Sequence, residues 1–291
     1  MNKGILYLVG TPIGNLSDIS PRALEILSEV DLIAAEDTRR TAILLNKYSI
    51  KKPLESYHNF NKEQKGNHFI EQIQNGKNVA LVSDAGMPCI SDPGSELVDL
   101  CTQMDITVIV IPGPCAAITA LSGSGIDSSK FIFEGFIPSS GKDRKARLLF
   151  LQKEPRTMIF YEAPHRVRKT LKDFTKNEWA DRRITFAREL TKMHEEFIRT
   201  SVREAELLYE EKDPRGEYVI ILEGQDEYRR RIPESATNDE VAGQDDKIIK
   251  EIEQLMLQGK SIKDISVEIS KLFSISKKEA YTIAQNVKDN K

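Results

Sequence analysis

The chain has 291 residues, of which 40% are apolar and 30% charged, and its formal net charge is −3. This length is close to the ~250 to 300 residues at which single hydrophobic cores stop growing, so two domains are expected. The charge excludes a general attraction to nucleic acid, so a polyanion would have to bind local basic patches. Strand-sized apolar runs and the lack of a cleavage site after the first of them predict a cytoplasmic protein without membrane contact.

The cysteines Cys89, Cys101 and Cys115 are odd in number and lack C-x-x-C spacing. This pattern favours reduced, buried thiols over disulfides or a zinc site, so no metal is expected.

Between residue 4 and about residue 125, apolar strand patterns alternate with helix patterns. Four runs are apolar throughout, as in strands buried on both faces: "GILYLVGT", "DLIAAED", "NVALVSDAG" and "ITVIVIPG". Helix starts are predicted at Ser20 with Pro21, at Thr38, and at Asp92 with Pro93. Alternation of this kind predicts a mainly parallel sheet.

A second set of strand patterns follows from about residue 130: "KFIFEGFIP", "RTMIFYEAP", "RRITFARE" and "EYVIILEG". Helices are expected over 143–152, 165–175 and 204–210, and the partly alternating strands favour a mixed sheet. The predicted organisation is an α/β protein with a parallel domain over 1–123 and a second α/β domain over 124–225. A polar linker over 226–244 and a small helix-turn-helix-like tail over 245–291 complete it.

Three loops after first-half strands are rich in small, turn-forming residues: 10–15, 83–94 and 112–117. Ligands of open α/β sheets bind at the carboxyl ends of the strands, where glycine permits close backbone approach. Any one loop is equally well explained as a tight turn, but the three together favour a ligand site. No G-x-G-x-x-G or G-x-x-x-x-G-K-[ST] motif is present, which favours a nucleoside without phosphate, S-adenosylmethionine being the commonest.

Seven ordered motifs between Leu6 and about Gly224 resemble one known family: "LYLVGTPIGNLSDISPRALEIL", "DLIAAEDTRRT", "VALVSDAGMPCISDPG", "IPGPCAAITAL", "FEGFIP", "YEAPHRV" and "ARELTKMHEE". They are similar to the ribosomal RNA small-subunit methyltransferase I family, a branch of the tetrapyrrole methylase superfamily. The resemblance implies two α/β domains with S-adenosylmethionine between them, usually in a homodimer. It also implies methylation of a cytidine ribose 2′-hydroxyl in small-subunit RNA, free or in the assembled small ribosomal subunit.

Carried over by motif, the resemblance places the cofactor against ten residues: Thr11, Pro12, Ser83, Asp84, Ala85, Gly86, Pro88, Pro114, Cys115 and Ala116. Methyl transfer to a ribose hydroxyl gains from a positioned base. Glu36 and Asp37 are the first candidates, because they follow a buried strand at the same edge as the loops; Asp37 or Thr38 is equally expected to cap the next helix. Other candidates remain open: Glu162, His165, Glu189 and His194.

Basic clusters beside these motifs are the predicted RNA contacts: Arg39, Arg40, Lys142, Arg144, Lys145, Arg147 and Arg166. A solvated helix face is the alternative for any single cluster. In the tail, Lys277, Lys278 and Lys288 are further candidates.

Two other functions fit parts of the sequence. A tetrapyrrole C-methyltransferase would share the cofactor cleft but leave the basic clusters and tail unexplained. A non-catalytic helix-turn-helix regulator that senses a nucleoside would explain the pocket and the tail, but not the charged residues at the rim.

Overall fold

The structure is a computed structural model that describes residues 3–232, 242–258, 260–273 and 276–289. The chain divides into two compact units, Met1–Gln225 and Asp226–Lys291. Among the residues described, no helix has the length and apolar character needed to cross a membrane.

The first sheet of the larger unit has five parallel strands in the order β3-β2-β4-β1-β5. The strands are β1 (Leu6–Val9), β2 (Leu32–Ala35), β3 (Leu54–Ser56), β4 (Val79–Val82) and β5 (Val108–Ile111). Four helices cover it: α1 (Pro21–Glu29), α2 (Thr38–Lys47), α3 (Lys62–Gln74) and α4 (Ser95–Gln103). Helices α3 and α4 pack on one face and α1 and α2 on the other, which explains why the strands are apolar throughout.

One predicted helix start in this part is wrong by two residues, and another falls on one of its two predicted alternatives. Ser20 caps α1 as predicted, and of the two predicted caps of α2, Asp37 and Thr38, the structure has Asp37. Helix α4 is preceded by Gly94 and not by Asp92, because Gly94 has a φ of +143° that other residues rarely adopt. All three cysteines are free thiols, and Cys101 is fully buried.

The second sheet is mixed, with the order β6-β7-β10-β8-β9. Its strands are β6 (Phe131–Phe136), β7 (Thr157–Glu162), β8 (Arg183–Arg188), β9 (Glu196–Ser201) and β10 (Tyr218–Leu222). Strands β6 and β7 are parallel and the other pairs antiparallel. The predicted combination of a parallel first sheet and a mixed second sheet is therefore confirmed.

Helices cover both faces of the second sheet. The helices of this part are α5 (Ala116–Ser124), α6 (Gly141–Leu151), α7 (Val167–Phe174) and α8 (Val202–Glu211). Residues of α6, α7 and α8 share one core with the sheet, and α5 packs on its opposite face. By packing, α5 thus belongs to the second sheet, although the predicted division at residue 123 assigned it to the first domain.

The smaller unit is helical, as predicted for the tail. Its helices are α9 (Gln225–Arg231), α10 (Ala242–Leu257), α11 (Ile262–Leu272) and α12 (Lys277–Asp289), and the last three share an apolar core that includes Ile252, Ile265 and Ala284. Part of the segment interpreted as a linker is helical, while 233–241 and the side chains of Lys278 and Lys288 lie outside the described residues.

Candidate functional site

The three loops singled out in the sequence meet at one edge of the first sheet. They follow β1, β4 and β5, and β1 pairs in parallel with both of the other strands, so the loop ends are neighbours. Thr11 and Gly86 join the first two loops through N–H···O bonds of 2.9 and 3.1 Å in both directions. The predicted clustering of the loops is thus present in the structure.

Several of the small residues serve the packing of one loop against another. A Cβ atom on Gly10 would lie 2.7 Å from the Cα of Gly113, and one on Gly113 would lie 2.8 Å from the Cα of Gly10. A Cβ on Gly94 would lie 2.6 Å from the sulfur of Cys89. These three glycines are therefore required by the protein's own backbone and side chains, whatever binds nearby.

Gly86 differs from them because it borders a cleft. Its φ is +93°, and a Cβ there would lie 3.3 Å from both Ile13 and the carbonyl oxygen of Pro114. The cleft has a volume of about 360 Å³, within the range of small-molecule sites. Its walls come from the three loops on one side and from β7, β10 and their flanking residues on the other.

Four of the ten predicted cofactor residues line this cleft: Ala85, Gly86, Cys115 and Ala116. Six lie in the same loops but outside the lining: Thr11, Pro12, Ser83, Asp84, Pro88 and Pro114. Three of these six have contacts that hold the loops. The Thr11 hydroxyl donates to the Ser83 carbonyl at 3.2 Å, and the Ser83 hydroxyl donates to the Gly86 carbonyl at 3.2 Å. The Asp84 carboxylate accepts from the Asp37 N–H at 2.9 Å and lies 3.5 Å from Arg40. That any of the ten binds a cofactor stays a prediction.

Asp37, one of the two first candidates for a base, is held at the start of α2. Its carboxylate accepts from the Arg39 N–H at 2.9 Å and from the Arg39 guanidinium at 3.0 and 2.7 Å. These bonds hold the pKa of Asp37 well below its usual range. Such a carboxylate accepts protons poorly, so the capping role is the better account of Asp37, and its role as a base stays a prediction.

Glu36, the second of these candidates, is half-buried beside Asp84. Burial raises its pKa, and the nearby charge of Asp84 acts in the same direction, while a hydrogen bond from the Asp84 N–H opposes them. Glu36 is not among the residues that line the cleft.

Asp92 is an acid that lines the cleft and that sequence analysis assigned to a helix start. The cap residue is Gly94, so Asp92 lies two positions earlier and belongs to the wall of the cleft. Burial, reinforced by the negative charge of Glu36, raises the pKa of Asp92 to about 6. A half-buried carboxylate with a pKa near neutrality is suited to proton transfer.

Glu162 also lines the cleft, but its carboxylate is committed to neighbours. It accepts from the Thr170 hydroxyl at 2.5 Å and from the Ala163 N–H at 3.0 Å, and it forms an ion pair with Arg166 at 3.0 Å. These contacts hold the turn between β7 and α7. Among the remaining candidates, His165 and His194 are exposed and do not line the cleft.

Glu189, the last of the candidate bases, also lies outside the cleft lining. Although burial opposes it, bonds from the Glu217 N–H at 2.9 Å and the Lys192 ammonium at 3.1 Å hold the pKa of Glu189 below its usual value. These bonds give Glu189 a structural role between the ends of β8 and β10.

The basic residues of α6 are not equally accessible. Lys142 and Lys145 are exposed, but Arg144 between them is only 3% exposed. Its guanidinium donates to the Asp173 carboxylate at 2.7 Å and to the Thr170 hydroxyl at 2.9 Å. Because these internal contacts occupy it, Arg144 is removed from the predicted RNA-binding set.

Two further predicted RNA contacts are tied into ion pairs at the surface of the second sheet. Arg147 donates to Glu134 at 2.7 Å and retains partial exposure. Arg166 is largely covered and pairs with Glu162, so it stabilises the wall of the cleft.

Comparison with known proteins assigns the chain to a family. Residues 5–206 match the family model described as Tetrapyrrole (Corrin/Porphyrin) Methylases. Ribosomal RNA small subunit methyltransferase I of Haemophilus influenzae is 43% identical over 96% of this chain and 95% of its own length. The protein of that name from Thermotoga maritima is 51% identical over 77% of this chain and its whole length.

The fold has solved counterparts. Uroporphyrin-III C-methyltransferase from Thermus thermophilus, in complex with S-adenosylhomocysteine, aligns with a TM-score of 0.54 at 17% identity over 77% of this chain and 98% of that one. At this identity the likeness shows a shared fold. Together with the matched residues and the relatives along almost the whole chain, it leads to one assignment: the chain belongs to the tetrapyrrole methylase family, within its ribosomal RNA small subunit methyltransferase I group.

Proposed function

We propose that this protein transfers a methyl group from S-adenosylmethionine to the ribose 2′-hydroxyl of a cytidine in small-subunit ribosomal RNA. The observation that carries the proposal is the cleft, which Gly86, Asp92 and Ala116 line together and whose volume of about 360 Å³ suits a nucleoside. The names of the relatives, at 43% and 51% identity, support the RNA substrate. The tetrapyrrole alternative rests on a shared fold at 17% identity, and nothing favours a non-catalytic regulator.

The lining of the cleft fits S-adenosylmethionine better than a phosphorylated cofactor. Three acidic residues line it, Asp92, Glu162 and Glu217, and no lysine or arginine is among its described lining residues. Glu162 is ion-paired with Arg166 and Glu217 with Lys192, so Asp92 supplies most of the negative charge of the lining. A negative charge at this wall disfavours phosphate and attracts the sulfonium and ammonium charges of S-adenosylmethionine. When bound, this cofactor supplies a methyl group activated by positive sulfur, and the bound S-adenosylhomocysteine in the Thermus thermophilus enzyme supports its use here.

The apolar part of the lining suits the rest of the molecule. Backbone at Ala85, Gly86 and Ala116 offers hydrogen bonds without side-chain bulk, and Leu190 and Val219 supply apolar walls on the opposite side. The contribution of this chain to the reaction is to hold the donor and the acceptor in line and to exclude water, effects worth up to ~7 to 11 kcal/mol.

Asp92 is the residue that we assign as proton acceptor. With a pKa of about 6 it is ionised at neutral pH and close enough to neutrality to take the proton of a hydroxyl as the new O–C bond forms. General bases of this kind contribute roughly 10² to 10⁴ in rate.

Small-subunit RNA, free or in the assembled small ribosomal subunit, is the proposed partner, and the bacterial cytoplasm is the proposed location because ribosomes are there. A homodimer is proposed from family membership. The exposed Lys142 and Lys145 on α6 are positioned to meet phosphate.

Incubation of the protein with methyl-labelled S-adenosylmethionine tests the proposal. Small ribosomal subunits, stripped small-subunit RNA and uroporphyrinogen serve as parallel acceptors. We expect label in the RNA, at a linkage that resists alkaline hydrolysis because the 2′-hydroxyl is blocked. Label in the porphyrin, label on a base, or no transfer with any acceptor contradicts the proposed function.

A further inference from the structure

A groove that no step above uses runs along the outside of the second sheet between β6 and α6. Its volume is about 470 Å³, and its walls include Glu134, Phe136, Pro138, Ala146, Arg147 and Phe150. Two aromatic rings in these walls are solvent-exposed, with Phe136 56% and Phe150 71% accessible. Exposed apolar side chains that gather in one groove, rather than being scattered singly, are typical of binding surfaces.

The groove lies next to the cleft. Phe136 lines both of them, and its ring contacts that of Tyr161, another residue of the cleft, edge to face at 5.7 Å between centroids. A polymer whose reacting unit enters the cleft could therefore reach the groove with its neighbouring units across Phe136.

Arg147 is held over the second aromatic ring. Its guanidinium carbon lies 5.0 Å from the centroid of Phe150, and its Nε donates to the Glu134 carboxylate at 2.7 Å. The side chain of Glu134 is almost fully covered, so the ion pair fixes the direction of the guanidinium. A fixed ring and guanidinium form the kind of stacking surface on which unpaired bases bind.

The charges along α6 favour a polyanion. Lys142 and Lys145 are exposed on the helix that forms one wall. Lys145 lies on the side of this helix that faces α7, where it lines a neighbouring pocket with Lys169 and Lys176. Asp143 is an acid in the wall of the groove, and it lies in the first turn of α6, where the helix dipole favours negative charge.

We propose that this groove binds single-stranded RNA next to the target nucleotide, with bases stacked on Phe150 and Phe136 and phosphates near Lys142 and Lys145. The inference rests on the proposed function and adds the surface that binds the nucleotides on either side of the target. Access to a ribose hydroxyl favours an unpaired segment, whose bases are then free to stack on protein side chains.

The test compares Phe150→Ala with Leu149→Ala, because Leu149 is the adjacent residue, is 66% exposed and lies outside the groove lining. Binding of a fluorescent single-stranded small-subunit RNA fragment is measured by anisotropy, and KM and kcat are measured with labelled cofactor. We expect Phe150→Ala to weaken RNA binding about 5- to 150-fold, as the loss of one stacked base predicts. Leu149→Ala should change it less than about twofold, and Phe150→Trp should restore binding.

Three further measurements separate the possible outcomes. Affinity for S-adenosylmethionine, by calorimetry, should be the same in all variants. The slope of log affinity for RNA against log salt concentration should decrease in Lys145→Ala by the amount expected for one phosphate contact. The slope should stay unchanged in Phe150→Ala. Sedimentation should show the same assembly state for Phe150→Ala and wild type; a shift to a smaller species would identify the groove as an interface between two copies and overturn the inference.

The proposed function and this inference fail in different ways. If wild-type protein transfers no label to RNA, the proposed function is wrong and the inference falls with it. If wild-type protein labels RNA but Phe150→Ala and Leu149→Ala bind RNA equally well, the groove is not an RNA site and the proposed function stands.

Discussion

Asp92→Asn keeps the size of a side chain in the wall of the cleft and removes its charge. The pKa of Asp92 is raised from an ordinary 3.8 to about 6, first by burial and then by the charge of Glu36. Because the folded state holds the proton more tightly than the unfolded chain, this residue contributes stability below about pH 4. That contribution is lost as the pH rises to about 6.

The size of this effect follows from the pKa. At 1.36 kcal/mol for each tenfold change in proton affinity, the difference between 3.8 and about 6 gives an upper bound of ~3 kcal/mol. Solvent reaches the half-buried carboxylate and screens it, so ~1 to 2 kcal/mol is expected. Asparagine does not titrate, so the variant does not lose this stability as the pH rises. Its free energy of unfolding relative to wild type should therefore increase by ~1 to 2 kcal/mol between pH 4 and pH 7.5.

Urea unfolding followed by far-ultraviolet circular dichroism at both pH values measures the gain. Asp99→Asn, which removes an exposed acid of α4, is the control for the loss of one negative charge. The same preparations are assayed for methyl transfer from pH 5 to pH 8. Wild-type kcat should fall as the pH drops through about 6, and Asp92→Asn should lose 10² to 10⁴ in kcat together with that dependence.

The two readouts refute different parts of the reasoning. A variant with wild-type kcat and an unchanged pH profile excludes Asp92 as the proton acceptor. Loss of affinity for S-adenosylmethionine with kcat preserved at saturation would make it a cofactor ligand instead. If the stability difference is the same at pH 4 and pH 7.5, burial does not perturb Asp92 as the structure indicates.

Three other substitutions test separate parts of the site. Gly86→Val should abolish binding of S-adenosylmethionine in calorimetry, because a branched side chain at φ +93° would press on neighbouring loops and enter the cleft; unchanged affinity would place the cofactor elsewhere. Asp37→Ala should lower the melting temperature by a few degrees through loss of the α2 cap and leave kcat within about twofold, whereas a hundredfold loss would restore Asp37 as a base. Arg144→Ala should destabilise the fold by about 2 to 4 kcal/mol in urea unfolding, because it leaves a carboxylate without its partner. It should not alter the salt dependence of RNA binding, which Lys142→Ala together with Lys145→Ala should reduce by about two charges.

The sequence predicted the strands that carry continuous apolar runs and missed those that do not. Strand β3 has three half-buried residues at the sheet edge, and β9 has only two apolar residues, Phe197 and Ile198, inside a charged segment. Neither has the hydrophobic pattern by which the central strands were found. The meeting of the three loops was predictable, because parallel strands bring their carboxyl ends to one edge.

The site itself was predictable only in part. Arg144 shares the spacing of Leu148 and Leu151, which are buried on α6, so the helical period could have identified it as an inward-facing residue. Asp92 gave no such signal, since Asp-Pro-Gly equally describes a helix start, and only the positive φ of Gly94 moves the cap past it. The contact of Gly10 with Gly113 joins residues a hundred positions apart and follows from tertiary structure alone.

The distribution of charge connects the cleft to the surface around it. The net charge of the chain is −3, but its positive and negative charges are unevenly distributed around the site. Acids line the cleft, and exposed lysines lie on the helix beside it. This distribution favours a cationic cofactor in the cleft and a polyanion on the surface of α6. The ion pair of Arg144 with Asp173 supports this arrangement, because it anchors α6 to α7 and so fixes the helix that carries the two lysines. The same helix therefore contributes a residue to the core and two residues to the surface that we propose for RNA.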